Sequence, residues 1–170
     1  MRGAAKTAGG GGGPAGSMAP MSLRTAREAD LPALLALAVA FYQEDGFTTP
    51  EGELRANLTT LVTSPAARVA VSEDEGRVVA FAITTTSFGL ESGLIAELED
   101  LYVAPEARRR GAANRLIEDS RRWAEERGCS LLEIVIAPNG NDVGHLFDFY
   151  GKRGFQDEGR RLLSQPLAGT

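Results

Sequence analysis

Hydrophobic positions along the chain alternate between a period of two and a helical period, and the switches mark out its elements. Ser22-Leu23-Arg24-Thr25-Ala26 reads as a short first strand. Leu31, Leu34, Leu35 and Ala38 then recur at helical spacing, with Asp30 as a candidate N-cap and Pro32 tolerated in the first turn. That pattern predicts a helix ending near Tyr42. Thr49-Pro50-Glu51 starts a second helix with its apolar stripe at Leu54, Leu58, Leu61 and Val62. The aromatic and acidic stretch Phe41 to Phe47 connects the two, and Phe41 and Phe47 read as core or lid residues. Arg68 to Ser72 and Arg77 to Thr84 are strand patterns joined by Asp74-Glu75-Gly76, which predicts a hairpin. A second turn between Gly89 and Gly93 leads into a strand from Leu94 to Val103. The next helix runs from Gly111 to Arg127 with Ala113, Leu116, Ile117, Ser120, Trp123 and Ala124 on its apolar face, charges elsewhere, and Gly128 as its stop. Leu131 to Ile136 is a β-rich run. Val143 to Lys152 predicts a last helix, and Gly154-Phe155 opens a final strand region reaching Leu167.

This order predicts an α+β domain with a mixed central sheet flanked by helices. Its first strands are antiparallel, and the strand–helix–strand unit from Leu94 to Ile136 makes a parallel pair if those strands are neighbours. Met1 to Pro20, with the run Gly9 to Gly13, cannot bury enough surface to offset backbone ordering. Residues 1–20 are therefore expected as a disordered leader and residues 21–170 as one folded domain. A formal charge of −5 argues against broad nucleic-acid binding and favours a cationic partner. A single cysteine, Cys129, excludes a disulfide framework and suits a reducing, cytoplasmic setting. One cysteine and one histidine (His145) cannot build a usual zinc site, so no metal is expected. The longest apolar run is too short to span a bilayer. Cys129 reads as structural and His145 as a surface residue.

The candidate chemistry starts at Leu101-Tyr102-Val103, where an apolar strand runs through a Pro-containing turn into Arg108-Arg109-Arg110-Gly111-Ala112-Ala113 and a helix start. Unpaired N–H groups and the helix dipole make such a start a site for phosphate or pyrophosphate. The chain lacks the P-loop pattern and the dinucleotide Gly-x-Gly-x-x-Gly after its first strand. What remains is Arg108-x-x-Gly111-x-Ala113, followed about forty residues on by Tyr150-Gly151-Lys152-Arg153-Gly154-Phe155. On these two motifs, in this element order, the chain from Ser22 to about Leu167 resembles the GNAT superfamily of acetyl-CoA-dependent N-acetyltransferases.

The resemblance implies a GNAT-like fold and acetyl-CoA as cosubstrate. Backbone N–H groups from Arg109 through Gly111 and Ala112 to Ala113 would hold the pyrophosphate, with Arg108, Arg109 and Arg110 adding charge, some of it for the adenosine 3′-phosphate. Main-chain groups of Leu101, Tyr102 and Val103 would pair with the pantetheine arm, in a gap where two strands splay. Asn139 and Asn141 are candidates on the far side of that gap. Tyr150 matches the tyrosine that protonates the departing thiolate. Acyl transfer also needs a base for the incoming ammonium. Glu97 and Glu99 are two residues apart and so share a strand face, expected to be that of Leu101 and Val103. They are the candidate bases, and Asp100 should face away unless a bulge shifts the register.

Two departures accompany the match. Ala112-Ala113 replaces a bulky residue followed by glycine, and Val143 and Leu146 stand where many members have Asn-x-x-Ala. Carboxylates at Glu44, Asp45, Glu91, Glu97, Glu99 and Asp100 should ring the acceptor cleft. They point to a small cationic amine such as an aminoglycoside or polyamine, with a protein or peptide amine, or a non-catalytic CoA sensor, as alternatives. The resemblance also allows a homodimer.

Overall fold

The computed structural model describes residues 21–137 and 142–167; the expected leader over 1–20 and both Asn139 and Asn141 lie outside the described residues. The chain forms β1 (Ser22–Thr25), a 3-10 turn (Glu28–Asp30), α1 (Leu31–Glu44), α2 (Glu51–Thr63), β2 (Ala67–Asp74), β3 (Arg77–Gly89), β4 (Gly93–Val103), a second 3-10 turn (Pro105–Ala107), α3 (Ala112–Glu126), β5 (Leu132–Glu133) and α4 (Gly144–Gly151). The sheet order is β1-β2-β3-β4-β5. Each of the first four strands is antiparallel to the next, and β5 is parallel to β4. This is the expected α+β architecture with its mixed sheet.

The hairpin between β2 and β3 turns on Glu75 and Gly76, at φ of 49° and 78°. Two consecutive positive-φ residues match the right-handed twist of the strands they join. Alternation along the strands then builds a core on each side of the sheet. Val69, Val71, Phe81, Ile83 and Tyr102 pack with Leu34, Leu35 and Ala38 of α1 and Leu54 and Leu58 of α2. On the other side, Ala70, Ala80, Ala82 and Leu98 meet Ala112, Leu116 and Ile117 of α3 and Tyr150 of α4. The small alanine side chains let α3 lie close to the sheet. In that interface the Thr84 hydroxyl donates to Ser120 Oγ at 2.8 Å, and Ser120 donates onward to the Leu116 carbonyl.

Three features differ from the sequence pattern. Asp119, placed there among the outward charges of α3, has a side chain only 2% exposed; it accepts two hydrogen bonds from Arg68 on β2, at 2.8 and 2.9 Å. Asp30 does not cap α1. Its carboxylate is taken by Arg24 at 2.7 and 2.8 Å and by the Arg27 N–H, so it fixes the 3-10 turn ahead of the helix. Finally, the expected strand Leu131 to Ile136 shortens to Leu132–Glu133, and no strand forms between Phe155 and Leu167. Strand propensity is realised only against a partner. Beyond Glu133 the chain leaves β4, and after Phe155 Leu162 and Leu163 stand exposed, in no strand.

Candidate active site

The geometry of the site begins with an irregularity in β4. Ile83 of β3 pairs with Asp100, but the next residue, Thr84, pairs with Leu98, so Glu99 is an extra residue on β4. A bulge of this kind exchanges the faces of the residues on either side of it. Leu98, Leu101 and Val103 pack on the α3 side, whereas Tyr102 packs on the α1–α2 side. Asp100 thus shares a side with Tyr102, opposite Leu101, and so does Glu97, which neighbours Leu98. The expectation that Glu97 and Glu99 share a face with Leu101 and Val103 is overturned, because the bulge adds one residue to the count. Asp100, set aside on that expectation, is brought to the same side as Glu97.

The three carboxylates differ in environment. Asp100 is largely buried, and desolvation, with Glu99 next to it, pushes its carboxyl up to about 6. Glu97 is also shifted upward, first by burial and then by the charges of Glu99 and Glu133. Glu99 is exposed and accepts a 2.7 Å hydrogen bond from the Thr85 hydroxyl. Across from them, burial and the charges of Asp100 and Glu99 raise the phenol of Tyr42 on α1. Tyr42 belongs to an aromatic group with Phe41, Phe47 and Tyr102. Phe41 packs against the core and Phe47 is 39% exposed. A cavity of about 180 Å³ opens beside this group, lined by Val39, Tyr42, Gln43, Phe47, Thr49, Glu51 and Leu54.

The opposite end of the strand offers backbone. β5 pairs with β4 at Ala96 and Glu97, so from Leu98 to Val103 the β5 side of β4 has no strand partner among the described residues. The strand ends at a turn in which Arg109 and Gly111 are both left-handed, at φ of 61° and 81°. A Cβ on Gly111 would meet nothing within 4 Å, so φ and not crowding from the protein asks for glycine there. The Arg115 N–H bonds the Gly111 carbonyl at 3.2 Å, which leaves earlier N–H groups of the first helical turn without partners four residues back. Ala112 is buried beneath the turn and Ala113 is half-buried. The arginines are not equivalent. Arg110 is held by Asp74 at 2.6 and 3.0 Å. Arg108 donates from Nε to the Val103 carbonyl at 2.9 Å and from Nη2 to both oxygens of Glu44 at 2.8 and 2.7 Å. Arg109 has no carboxylate partner among the described residues.

Tyr150, in α4, is 9% exposed, with Phe149 and Phe155 against its ring. Burial raises its phenol to about 12, with Arg153 pulling it down and Asp45 pushing it further up. Arg153 fastens α4 to the start of α3: its Nε donates to Asn114 Oδ1 at 2.8 Å, Nη2 reaches the same oxygen, and Nη1 bonds the Phe149 carbonyl. The tyrosine and the glycine turn are therefore tied together through a residue inside the Tyr150 to Phe155 segment. His145 is exposed, and Cys129 is a free thiol just past α3.

The sequence pattern gives Asp100 and Glu44 no role beyond the ring of cleft carboxylates, and gives Arg153 none. Arg153 lies inside the Tyr150 to Phe155 motif, and the bulge that turns Asp100 carries no signal in composition. The arrangement combines an unpaired stretch of strand backbone, a helix start open to an anion, a neutral phenol and a carboxyl poised near neutrality.

Comparison with known proteins matches residues 31–155 to the Acetyltransferase (GNAT) family. The chain is 36% identical over 108 residues to an aminoglycoside N(6′)-acetyltransferase type 1 of Serratia marcescens, a match covering 61% of this chain and 71% of that protein. A protein of the same name from Klebsiella aerogenes is 34% identical over 83 residues, covering 47% of this chain and 55% of that protein. Among solved structures, the integron cassette protein HFX_CASS3 from a salt-marsh metagenome gives a TM-score of 0.75 at 27% identity, covering 87% of this chain and 91% of that one. The aminoglycoside N-acetyltransferase AAC(6′)-Iy in complex with CoA gives 0.73 at 19% identity, covering 86% and 94%, a likeness of fold.

Proposed function

The chain belongs to the acetyltransferase (GNAT) family, and from that premise we propose that it moves the acetyl group of acetyl-CoA onto a primary amine of a small polycationic acceptor of the aminoglycoside kind. The observation that carries the acceptor class is the turning of Asp100 by the β4 bulge onto the same side as Glu97, toward the end of the sheet that Tyr42 covers. Carboxylates in that position are costly unless a cation meets them. The names of the Serratia and Klebsiella relatives support the same class.

The donor fits the residues present. The β5 side of β4 from Leu98 to Val103 suits the amide-like pantetheine arm, as an added strand would pair. The turn from Arg109 to Ala113 suits the pyrophosphate, with its left-handed residues and unpaired helical N–H groups. The cosubstrate supplies an activated thioester carbonyl. Asp100 takes a proton from the acceptor ammonium, directly or through a water, and a carboxyl near 6 is ionised at neutral pH yet basic enough to accept it. The freed amine nitrogen bonds to the carbonyl carbon, the carbon–sulfur bond breaks, and Tyr150 donates its hydroxyl proton to the leaving sulfur. The second proton that the acylated nitrogen must lose passes through water to the Tyr150 phenolate. At about 12 the phenol is fully protonated before the step.

Thiol release from acetyl-CoA, measured against aminoglycosides, polyamines, amino acids and peptides, tests the assignment. Turnover is expected with aminoglycosides and to a smaller degree with polyamines. Preference for a peptide amine would move the protein to the protein-modifying class. Acetyl-CoA binding with no turnover on any amine would mark a CoA-sensing domain.

A further inference from the structure

The contact between Arg108 and Glu44 joins two parts of the molecule that the reaction must bring into step. Glu44 is the last residue of α1, Asp45 is its C-cap, and the loop to α2 follows at once. α1 has no basic residue in its last turn, so two acidic residues sit at the negative end of a helix dipole, where they are locally unfavourable. Arg108, 64 residues away in sequence, offsets one of them, and its charge holds the Glu44 carboxyl below its usual range. The guanidinium is located by three contacts: the Val103 carbonyl at the end of β4, the Glu44 carboxylate, and the Tyr102 ring, 5.7 Å from its centroid. The Tyr102 hydroxyl donates to the same carboxylate at 3.4 Å. Nε and Nη2 of the guanidinium are thereby used, and the Tyr102 hydroxyl also interacts with it.

We infer that Glu44 is a positioning residue for the donor site: its carboxylate holds Arg108 so that the guanidinium is oriented for the pyrophosphate before the cosubstrate arrives. The inference rests on the donor assignment made above. Both side chains are substantially exposed, at 39% for Arg108 and 46% for Glu44. An exposed pair of this kind contributes little to the fold. Its worth lies in ordering a long side chain in advance, which lowers the entropy lost on binding. Because the pair spans from the glycine turn to the loop after α1, it also fixes the donor site relative to the acceptor side of the cleft.

Calorimetric titration of the full chain with acetyl-CoA, and by displacement with S-acetylpantetheine, which ends short of the pyrophosphate, provides the test. Wild type, Glu44→Ala, Glu44→Gln, Arg108→Gln and the double variant Glu44→Ala/Arg108→Gln are compared. Glu44→Ala is expected to weaken acetyl-CoA roughly twofold to fivefold, the scale of an exposed ion pair. Glu44→Gln should weaken it less, S-acetylpantetheine affinity should be unchanged, and the double variant should bind no worse than Arg108→Gln. Unchanged or tighter acetyl-CoA binding in Glu44→Ala overturns the inference, as do equal losses for both donors or additive losses in the double variant. If the wild type fails to bind acetyl-CoA, the donor assignment falls, and the inference with it.

Discussion

Replacing Asp100 with asparagine should make the protein more stable and less active at once. In the folded chain its carboxyl is raised from an ordinary 3.8 to about 6 by desolvation and by Glu99. At about 1.4 kcal/mol per pKa unit, ionising it in place costs on the order of 3 kcal/mol. Below pH 3.8 the group is protonated in both folded and unfolded chains, and no penalty exists. As pH rises toward about 6, the unfolded chain releases its proton first, so the folded state loses stability across that window and carries the full penalty above it. Asparagine keeps the shape without the charge. Urea denaturation of Asp100→Asn and wild type should therefore agree closely at about pH 3 and diverge at about pH 7.5, with the variant ahead by about 2–3 kcal/mol. In the same variant kcat/KM should fall by roughly 10²–10⁴, the range of a general base, and the acid limb near pH 6 should vanish from its pH profile. Equal stability at pH 7.5, or an acid limb that survives the substitution, refutes this account of Asp100.

Three further outcomes follow from the geometry. Tyr150→Phe should lower kcat by about 10²-fold or more while leaving acetyl-CoA affinity near wild type, as expected for loss of an acid that acts only on the leaving group; kinetics paired with calorimetry checks this. Gly111→Ala meets no steric neighbour, so it should cost only the strain of φ +81°, about 1–2 kcal/mol in urea denaturation, with weaker acetyl-CoA binding. Arg68→Ala leaves the buried Asp119 with Arg122 as its remaining ion-pair partner and should destabilise the fold by about 1–3 kcal/mol at pH 7.

How much of this was legible beforehand depended on the range of the interactions involved. Hydrophobic period alone located the antiparallel strands, the parallel crossover and the four helices, because each is decided by residues within a turn or two. Gly111 and Tyr150 stand out through the two motifs that carry the family resemblance, and the structure sets the first at a left-handed helix start and the second on a buried helix face. The facing of β4 was not legible. Counting by twos through Glu97, Glu99 and Leu101 assumes an uninterrupted ladder, and the extra residue at Glu99 is defined only by pairing with β3. The same holds for Asp119, whose burial follows from Arg68 on another strand, and for Arg108, whose partner lies at the end of α1. The apolar residues after Phe155 mislead for the opposite reason: they have strand propensity, yet none of them lies in a strand.

The brevity of β5 also shapes how the protein can fail. Strand backbone left without a partner is a template for pairing with another chain. The unpaired stretch of β4 lies beyond its short pairing with β5, and the hairpin tip at the other end of the strand carries Phe88 and Leu90 in solvent. A pantetheine arm laid along that edge would remove the template, so the cosubstrate would act as a guard against self-association as well as a reagent. Solubility on heating should then track cosubstrate concentration beyond the shift in melting temperature that binding alone produces.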